Sequence, residues 1–187
     1  MYHIAKDRRA EKSAALIYEA LLGLLGKRSL SSVTVKDVTD AAGTGRATFY
    51  RLFDNITDVL SWKCEEIFLC ALEKPEKDIP PGQALVGFVE SCMDNHQLLD
   101  ALVRNSRLYL LQDIHMRHID KVASLFFPGS AVPDESKPYL ASLLAAIIPA
   151  MYLVWERKPG ASAEELLEGL AENLALLSKL FSSARHC

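Results

Sequence analysis

Residues 34–55 read TVKDVTDAAGTGRATFYRLFDN, and this stretch decides the fold of the chain. Its first residue is a threonine with Asp37 three positions later, the spacing of a capping box that starts a helix. This helix ends in the segment 43–45, where Gly43 can adopt the positive φ of a turn. A second short helix follows over about 46–53. Two short helices joined by a glycine-containing turn predict a helix-turn-helix, although a plain corner between two helices has the same spacing.

The second helix has two different faces. Phe49 and Phe53 are four residues apart and can pack inward, together with Leu52, against Ile17 and Leu21 of a preceding amphipathic helix. The other side chains of this helix are left for the outer surface, and a helix that presents such a face fits the major groove of DNA.

The segment resembles the DNA-binding signature of the TetR family of transcriptional regulators. The resemblance rests on Ala42-Gly43, on Thr48-Phe49-Tyr50, and on Phe53 and Asn55, and it extends over residues 8–68. It implies an all-α fold with an N-terminal three-helix DNA-binding head, followed by a larger helical body for ligand binding and dimerisation. The expected domains are 1–55 for the head and 56–187 for the body.

The DNA-binding residues indicated by the physical pattern and by the resemblance lie on the two short helices. Arg46 can bind a guanine edge or a phosphate, and Lys36 a base edge or the DNA backbone. The methyl groups of Ala47 and Thr48 can meet a thymine methyl, and the Tyr50 hydroxyl suits a phosphate. The full predicted set is Thr34, Lys36, Gly45, Arg46, Ala47, Thr48, Tyr50 and Arg51. Three cations near the start of the first helix either add phosphate contacts or form a solvated face: Arg8, Arg9 and Lys12.

Two positions depart from the family pattern. Gly45 stands where the family usually has serine, so the recognition helix lacks a side-chain cap. Ile56 stands where the family usually has lysine, so one phosphate contact is missing. These departures leave a second interpretation open, a TetR-fold coactivator or adaptor that binds proteins and has no sequence-specific DNA binding.

Charge is distributed unevenly along the chain. The net charge of the 187 residues is −3, but residues 1–63 hold 10 Lys/Arg against 7 Asp/Glu, and residues 64–187 hold 11 against 17. A basic head on an acidic body suits a protein that offers one end to a polyanion, although so small an excess also arises by chance.

Helical periodicity continues through the rest of the chain. Asn55 and Ser162 are predicted to cap two further helices, and the polar, proline-rich segment 74–82 is the candidate hinge. Helices are expected at about 7–25, 56–72, 83–94, 97–104, 106–126, 136–157 and 162–183. The last two are rich in Leu and Ala and are the predicted homodimer interface, which would let two heads read a palindromic operator.

A small-molecule effector of unknown identity is expected in the body, where it would release a repressor from DNA. A cavity for it would be apolar with a few polar groups. The predicted lining, whose residues ordinary core packing explains more readily, is Phe88, Cys92, Met93, Tyr109, Met116, Met151, Tyr152 and Trp155.

No catalytic motif or cofactor site is visible, so enzymatic activity is not expected. His115 and His118 have a spacing that can bind a metal on a helix. Two ligands do not make a structural zinc site, however, and Arg117 between them disfavours a cation. We therefore predict no metal and no cofactor.

The four cysteines and the start of the chain indicate a cytoplasmic protein. Cys64, Cys70, Cys92 and Cys187 include no CxxC pair, and no apolar signal segment precedes the first helix. Cys64 and Cys70 are expected as small core residues. The apolar stretch 139–155 is short for a membrane span, and a helix buried on most sides of a bundle is the preferred interpretation.

Overall fold

The chain has the all-α fold that the sequence predicts, and a computed structural model describes residues 2–4, 7–73 and 79–184 of it. The described residues form ten α-helices and two short 3-10 helices, with no strand beyond an isolated bridge between Tyr2 and Phe53. The α-helices are α1 (Arg8–Leu25), α2 (Val35–Ala41), α3 (Arg46–Leu52), α4 (Ile56–Glu73), α5 (Pro81–Asp94), α6 (His96–Arg104), α7 (Tyr109–Arg117), α8 (Ile119–Phe126), α9 (Lys137–Arg157) and α10 (Ala163–Ala184). Residues 74–78 of the predicted hinge and Cys187 lie outside the described residues.

The N-terminal helices pack around a small aromatic core. Phe49 and Phe53 are fully buried, as are Ile17 and Leu21 of α1. The rings of Phe49 and Phe53 lie 5.7 Å apart, and Phe53 lies 6.0 Å from Trp62 of α4. The predicted inward face of α3 is therefore confirmed, and α4 closes the core on its far side.

Three helices start at the capping residues that the sequence predicts. In each, an N-cap side chain accepts a hydrogen bond from the backbone N–H three residues later, and the acidic side chain at that position accepts one from the N-cap N–H. The pairs are Thr34 with Asp37, Asn55 with Asp58 and Ser162 with Glu165.

The body is a helical bundle in which α4 joins the head to the other helices. Helix α4 packs against α1 on one side and against α5 and α7 on the other, and α7 packs along α9. Phe68 of α4 meets Phe88 of α5 edge to face, with ring centroids 5.7 Å apart. The core continues through Leu102 and Ile114, so head and body share one hydrophobic cluster.

The expectations for the segment 106–126 and for Cys70 were wrong. The predicted helix over 106–126 is broken into α7 and α8 at His118, which leaves helical geometry with φ −114° and ψ 17°. The side chain of His118 reaches Glu65 on α4 instead. Cys70 was expected in the core but is exposed, because it lies on the outer face of α4, whereas Cys64 is buried.

Helix α9 is apolar on more than its buried face. The stretch Asp134–Arg157 is long and apolar enough to cross a membrane by length and composition alone, and 33% of its most apolar window is buried. The expectation of a helix buried on most sides is therefore wrong for a single chain. Large side chains on the open face of α9 and on α10 are exposed: Tyr139, Leu143, Leu153, Val154, Leu174, Leu176, Leu177, Leu180 and Phe181.

One histidine belongs to the body core. His115 of α7 is 2% exposed, and its Nδ1 lies 2.7 Å from the carbonyl oxygen of Leu111. Its ring lies edge on to Phe68, with centroids 4.7 Å apart. Burial lowers the pKa of His115 below its usual value of 6.5, because the charged ring cannot be solvated there.

The two faces of α3 predict opposite effects of two neighbouring aromatic truncations. Phe49→Ala removes a fully buried ring and should lower the free energy of unfolding by about 3–5 kcal/mol. Tyr50→Ala removes a ring that is 55% exposed and should change it by less than about 1 kcal/mol. Urea unfolding followed by circular dichroism measures both. Equal losses would contradict the assignment of the two faces.

The buried histidine predicts a stability component that depends on pH. Because the folded chain disfavours protonated His115, the unfolded chain binds more protons between the lowered pKa and 6.5. Stability should therefore fall as the pH decreases below about 6.5, and this component levels off below the lowered pKa. Urea unfolding of the parent and of His115→Leu between pH 8 and pH 5 should give a shallower pH dependence for the variant, and parallel curves would refute the assignment.

Candidate nucleic-acid interface and internal cavity

The start of α2 is held by a compact set of hydrogen bonds. The Thr34 hydroxyl donates to Asp37 Oδ2 over 2.8 Å and accepts from the Asp37 N–H over 3.2 Å. Hydrogen bonds from the Thr34 backbone and hydroxyl, aided by nearby Arg28, lower the pKa of Asp37. Thr34 is exposed as predicted, but its hydroxyl proton already has an acceptor. A contact from the Thr34 hydroxyl to a DNA phosphate would therefore need this hydrogen bond to rearrange.

The turn between α2 and α3 is a Schellman motif. Gly43 has φ +61°, a conformation that favours glycine. Its N–H donates to the carbonyl of Asp40, and the N–H of Thr44 donates to the carbonyl of Thr39. These bonds satisfy the last carbonyls of α2 and set the direction in which α3 leaves the turn. The role predicted for Gly43 is confirmed.

Helix α3 begins at Gly45 without a side-chain cap, as its sequence predicts. The Gly45 carbonyl accepts hydrogen bonds from the N–H groups of Thr48 and Phe49, over 3.0 and 3.1 Å. The backbone alone therefore starts this helix, and the small residue keeps its N-terminal end open to an approaching surface.

The predicted DNA-binding residues form one accessible surface, which we call the α3 face. Thr48 is half-buried, and the others are exposed: Thr34, Lys36, Gly45, Arg46, Ala47, Tyr50 and Arg51. The Tyr50 ring stands edge on to Phe49 with centroids 5.5 Å apart, which orients it while leaving it 55% exposed. Within the described ranges, Lys36, Arg46 and Arg51 have no carboxylate partner, so their charges face solvent.

Flanking cations lie on α1. Arg8, Arg9 and Lys12 are exposed there, and no ion pair with another described residue holds them. Helix α1 packs against both α2 and α3, so these cations belong to the same head as the α3 face.

Sequence reasoning missed an N-terminal segment that packs at the end of α3. The N–H of His3 donates to the carbonyl of Leu52 over 2.8 Å, and His3 Nε2 lies 3.0 Å from Asp54 Oδ1. Tyr2 forms the bridge with Phe53. A single bridge has no periodic pattern, so the sequence carries no signal for it. The contact anchors the segment beside the C-terminal end of α3.

Three hydrogen bonds connect α4 and the head to the other helices of the body. Glu65 on α4 accepts hydrogen bonds from Arg117 Nη1 over 2.8 Å and from His118 Nε2 over 2.5 Å. The side-chain oxygen of Asn105, after α6, accepts from the backbone N–H of Leu30 over 2.7 Å. His115 and His118, whose spacing was considered for a metal, have separate partners. These contacts hold the head at a defined position on the body.

A cavity of about 560 Å³, partly open to solvent, lies between α5, α9 and α10 of the body. Its volume lies within the range of about 300–1,000 Å³ that is common for small-molecule sites. Six of the eight predicted lining residues surround it: Phe88, Cys92, Met93, Met151, Tyr152 and Trp155. Phe68, Leu99 and His115 also line it and were missed, because nothing in their local spacing distinguishes a cavity wall from solid core.

Tyr109 and Met116 do not line the cavity, so this part of the predicted lining is corrected. They are 50% and 38% exposed and lie on the outer face of α7. The cavity meets α7 through His115, which points to the opposite side of the helix. Residue type suggested these two positions, but the orientation of α7 on α9 excludes them.

The polar groups around the cavity are few. The Tyr152 hydroxyl donates to Asp100 Oδ1 over 3.2 Å, and burial together with Asp100 raises the pKa of Tyr152 to about 12. Burial raises the pKa of the Cys92 thiol to about 12, so it stays neutral. Glu164 and Glu168 lie at the rim, on the first turns of α10.

Comparisons with known proteins agree with this architecture. Residues 17–61 match the family described as bacterial regulatory proteins, tetR family. The fold is similar to that of Lin0861 from Listeria innocua, with a TM-score of 0.78, 17% identity, and coverage of 94% of this chain and 96% of that chain. No curated protein matches the chain.

Two further solved structures share the fold. A TetR transcriptional regulator from Streptococcus agalactiae has a TM-score of 0.58 and 23% identity, covering 87% of this chain and 93% of that chain. The dihydroxyacetone kinase operon activator DhaS has a TM-score of 0.59 and 20% identity, covering 90% of this chain and 97% of that chain. Residues 17–61 therefore carry the helix-turn-helix of the bacterial tetR family, and the chain shares the fold of these solved structures over its described length.

Proposed function

We propose that the chain is a cytoplasmic transcription regulator that inserts α3 into the major groove of a palindromic operator. The observation that carries this proposal is the α3 face: one side of a short helix is locked into the core by Phe49 and Phe53, and the other side is open and cationic. A rigid helix with small and basic residues outward is what direct readout of base edges needs.

Individual roles follow from reach and chemistry. Arg46 reads a guanine edge or grips a phosphate, and Tyr50 donates its hydroxyl to a phosphate. Ala47 and Thr48 allow close approach and contact a thymine methyl. Lys36 adds a contact from α2. Gly45 allows the DNA backbone to come close to the start of α3.

The body acts as the dimerisation unit, through α9 and α10. Every described side chain from 171 to 182 on α10 is exposed in a single chain, including Leu176 and Leu180. Leu143 and Val154 add to this surface on α9. Exposed apolar area on this scale marks an interface, and a twofold axis through it would place two heads on the two halves of a palindrome. In this proposal residues 1–55 read DNA and residues 56–187 dimerise and bind ligand.

The body cavity holds a small effector whose binding releases a repressor from DNA. The connection that supports this is α4, since its Phe68 lines the cavity while its Leu60 is buried in the head core. An effector that prefers a different α4 position lowers the population of the DNA-binding arrangement by its difference in affinity for the two states.

A second candidate is a coactivator or adaptor that acts through proteins. Ile56 removes a cation that family members usually present to DNA, and DhaS, which shares the fold, is named an operon activator. This candidate keeps the dimer and the cavity but gives the α3 face a protein partner. Regulators of this family are generally non-enzymatic, and both candidates assume the same here.

Selection of duplexes from a random pool tests the first candidate. The dimer should recover a shared palindrome, and affinity should fall steeply with salt as phosphate contacts release counterions. Arg46→Ala and Tyr50→Ala should each weaken binding by about 1–3 kcal/mol in fluorescence anisotropy. Arg157→Ala, at the end of α9, is the matched control and should bind normally. Recovery of no common sequence would favour the coactivator.

The dimer surface predicts the effect of a charge placed on α10. Leu176→Lys with Leu180→Lys should convert the dimer to monomers in sedimentation velocity, because two buried charges would lack partners. Operator affinity should fall with it, since each head then binds alone. Phe127→Lys alters an exposed apolar residue after α8 and should remain dimeric. A double variant that stays dimeric would place the interface elsewhere.

A further inference from the structure

The chemistry of the cavity wall limits the ligand that it can hold, and the following argument rests on the proposed effector site. Among the described residues that line the cavity there is no lysine or arginine, and apart from a few polar groups its wall is aliphatic and aromatic. An ionised carboxylate buried there would lose its hydration without gaining a partner, at large cost. The rim carboxylates, Glu164 and Glu168, would repel it further. The described wall therefore favours an uncharged ligand over a fatty acid or another organic anion.

His115 brings a polar ring to the wall of the cavity. His115 is 2% exposed and lines both the cavity and an adjoining void of about 40 Å³. Its Nδ1 is bonded to the Leu111 carbonyl, which can only accept, so the ring proton lies on Nδ1. Burial lowers the pKa of His115 and keeps the ring neutral. Its Nε2 is then a hydrogen-bond acceptor, and no donor from the described residues reaches it.

The other polar groups on the wall do not compete for this role. The Tyr152 hydroxyl already donates to Asp100, and the neutral Cys92 thiol is a weak donor. A ligand without a donor would displace water from His115 Nε2 and leave it without a hydrogen bond, whereas a ligand with one donor at the right place would satisfy it. A site with one buried acceptor discriminates strongly for the matching donor.

We propose that the cavity binds an uncharged lipophilic alcohol, whose hydroxyl donates to His115 Nε2 and whose hydrocarbon part fills the space between α5, α9 and α10. The chemical class is a neutral apolar molecule with a single hydroxyl. Binding places the ligand against Phe68, whose ring lies against His115, and thereby against α4.

Four decyl compounds with different head groups test this class: decanol, decyl methyl ether, decanoate and decylammonium, each kept below its solubility limit and critical micelle concentration. Trp155 lines the cavity and reports binding by its fluorescence in a Trp62→Phe background, which removes the other tryptophan. Decanol should bind about tenfold or more tightly than the ether, which lacks a donor, and than decanoate. Tightest binding of decanoate or decylammonium, equal binding of decanol and the ether, or no binding at all would overturn the proposal.

Two variants separate the hydrogen bond from the cavity. His115→Leu should bring the decanol-to-ether affinity ratio close to one and keep ether binding, and an unchanged ratio would overturn the role of His115. Ile147→Phe with Met151→Phe narrows the cavity without adding a tryptophan and should weaken binding of both compounds. If His115→Leu fails to fold, the head-group ranking in the parent and the weaker binding in the double phenylalanine variant still decide the proposal.

The titrations contain no DNA, so their outcome is independent of operator binding. Decanol that binds as expected but leaves operator affinity unchanged would refute release by ligand and leave the ligand class standing. Operator binding that is weakened by decanoate and not by decanol would support release by a ligand and would refute the proposed ligand class.

Discussion

The burial of Phe49 and Phe53 against α1 is the constraint on which the head depends. A helix as short as α3 has little stability in isolation, because nucleation costs more than its few hydrogen bonds return. Packing of these two rings between α1 and α4 supplies what is missing. Since they lie four residues apart, they also fix the rotation of the helix about its axis. With this rotation fixed, the side chains of Arg46 and Tyr50 are exposed and form part of the α3 face.

Helix α4 extends this constraint into the body. Leu60 belongs to the head core, and Phe68, two turns further on, forms part of the cavity wall. Between them Glu65 is held by Arg117 and His118 at the junction of α7 and α8. Close-packed interiors respond to a change in volume by discrete shifts of rigid elements. One continuous helix, α4, thus links the cavity to the head that carries the α3 face through direct packing.

The features that could be predicted from the sequence were those encoded within a few residues. The capping pair Thr34 and Asp37, the turn at Gly43 and the inward face of α3 all occur as expected. The cavity was predicted in part, since residue type identified Met151 and Trp155 but also suggested Tyr109, which is exposed. The spacing of residues along a helix does not specify how that helix is oriented against neighbours that are distant in sequence.

By itself, the sequence determined the all-α class and the helix-turn-helix that resembles the tetR family, because helix caps, glycine turns and apolar periodicity act over distances of one to two helical turns. Tertiary structure alone decided that the helix breaks at His118. The side chain of His118 contacts Glu65, which is 53 residues earlier in the chain. It also decided that the buried ring of His115 lines an apolar cavity. Such contacts join residues that are far apart in sequence, and their energy depends on burial that no local pattern specifies.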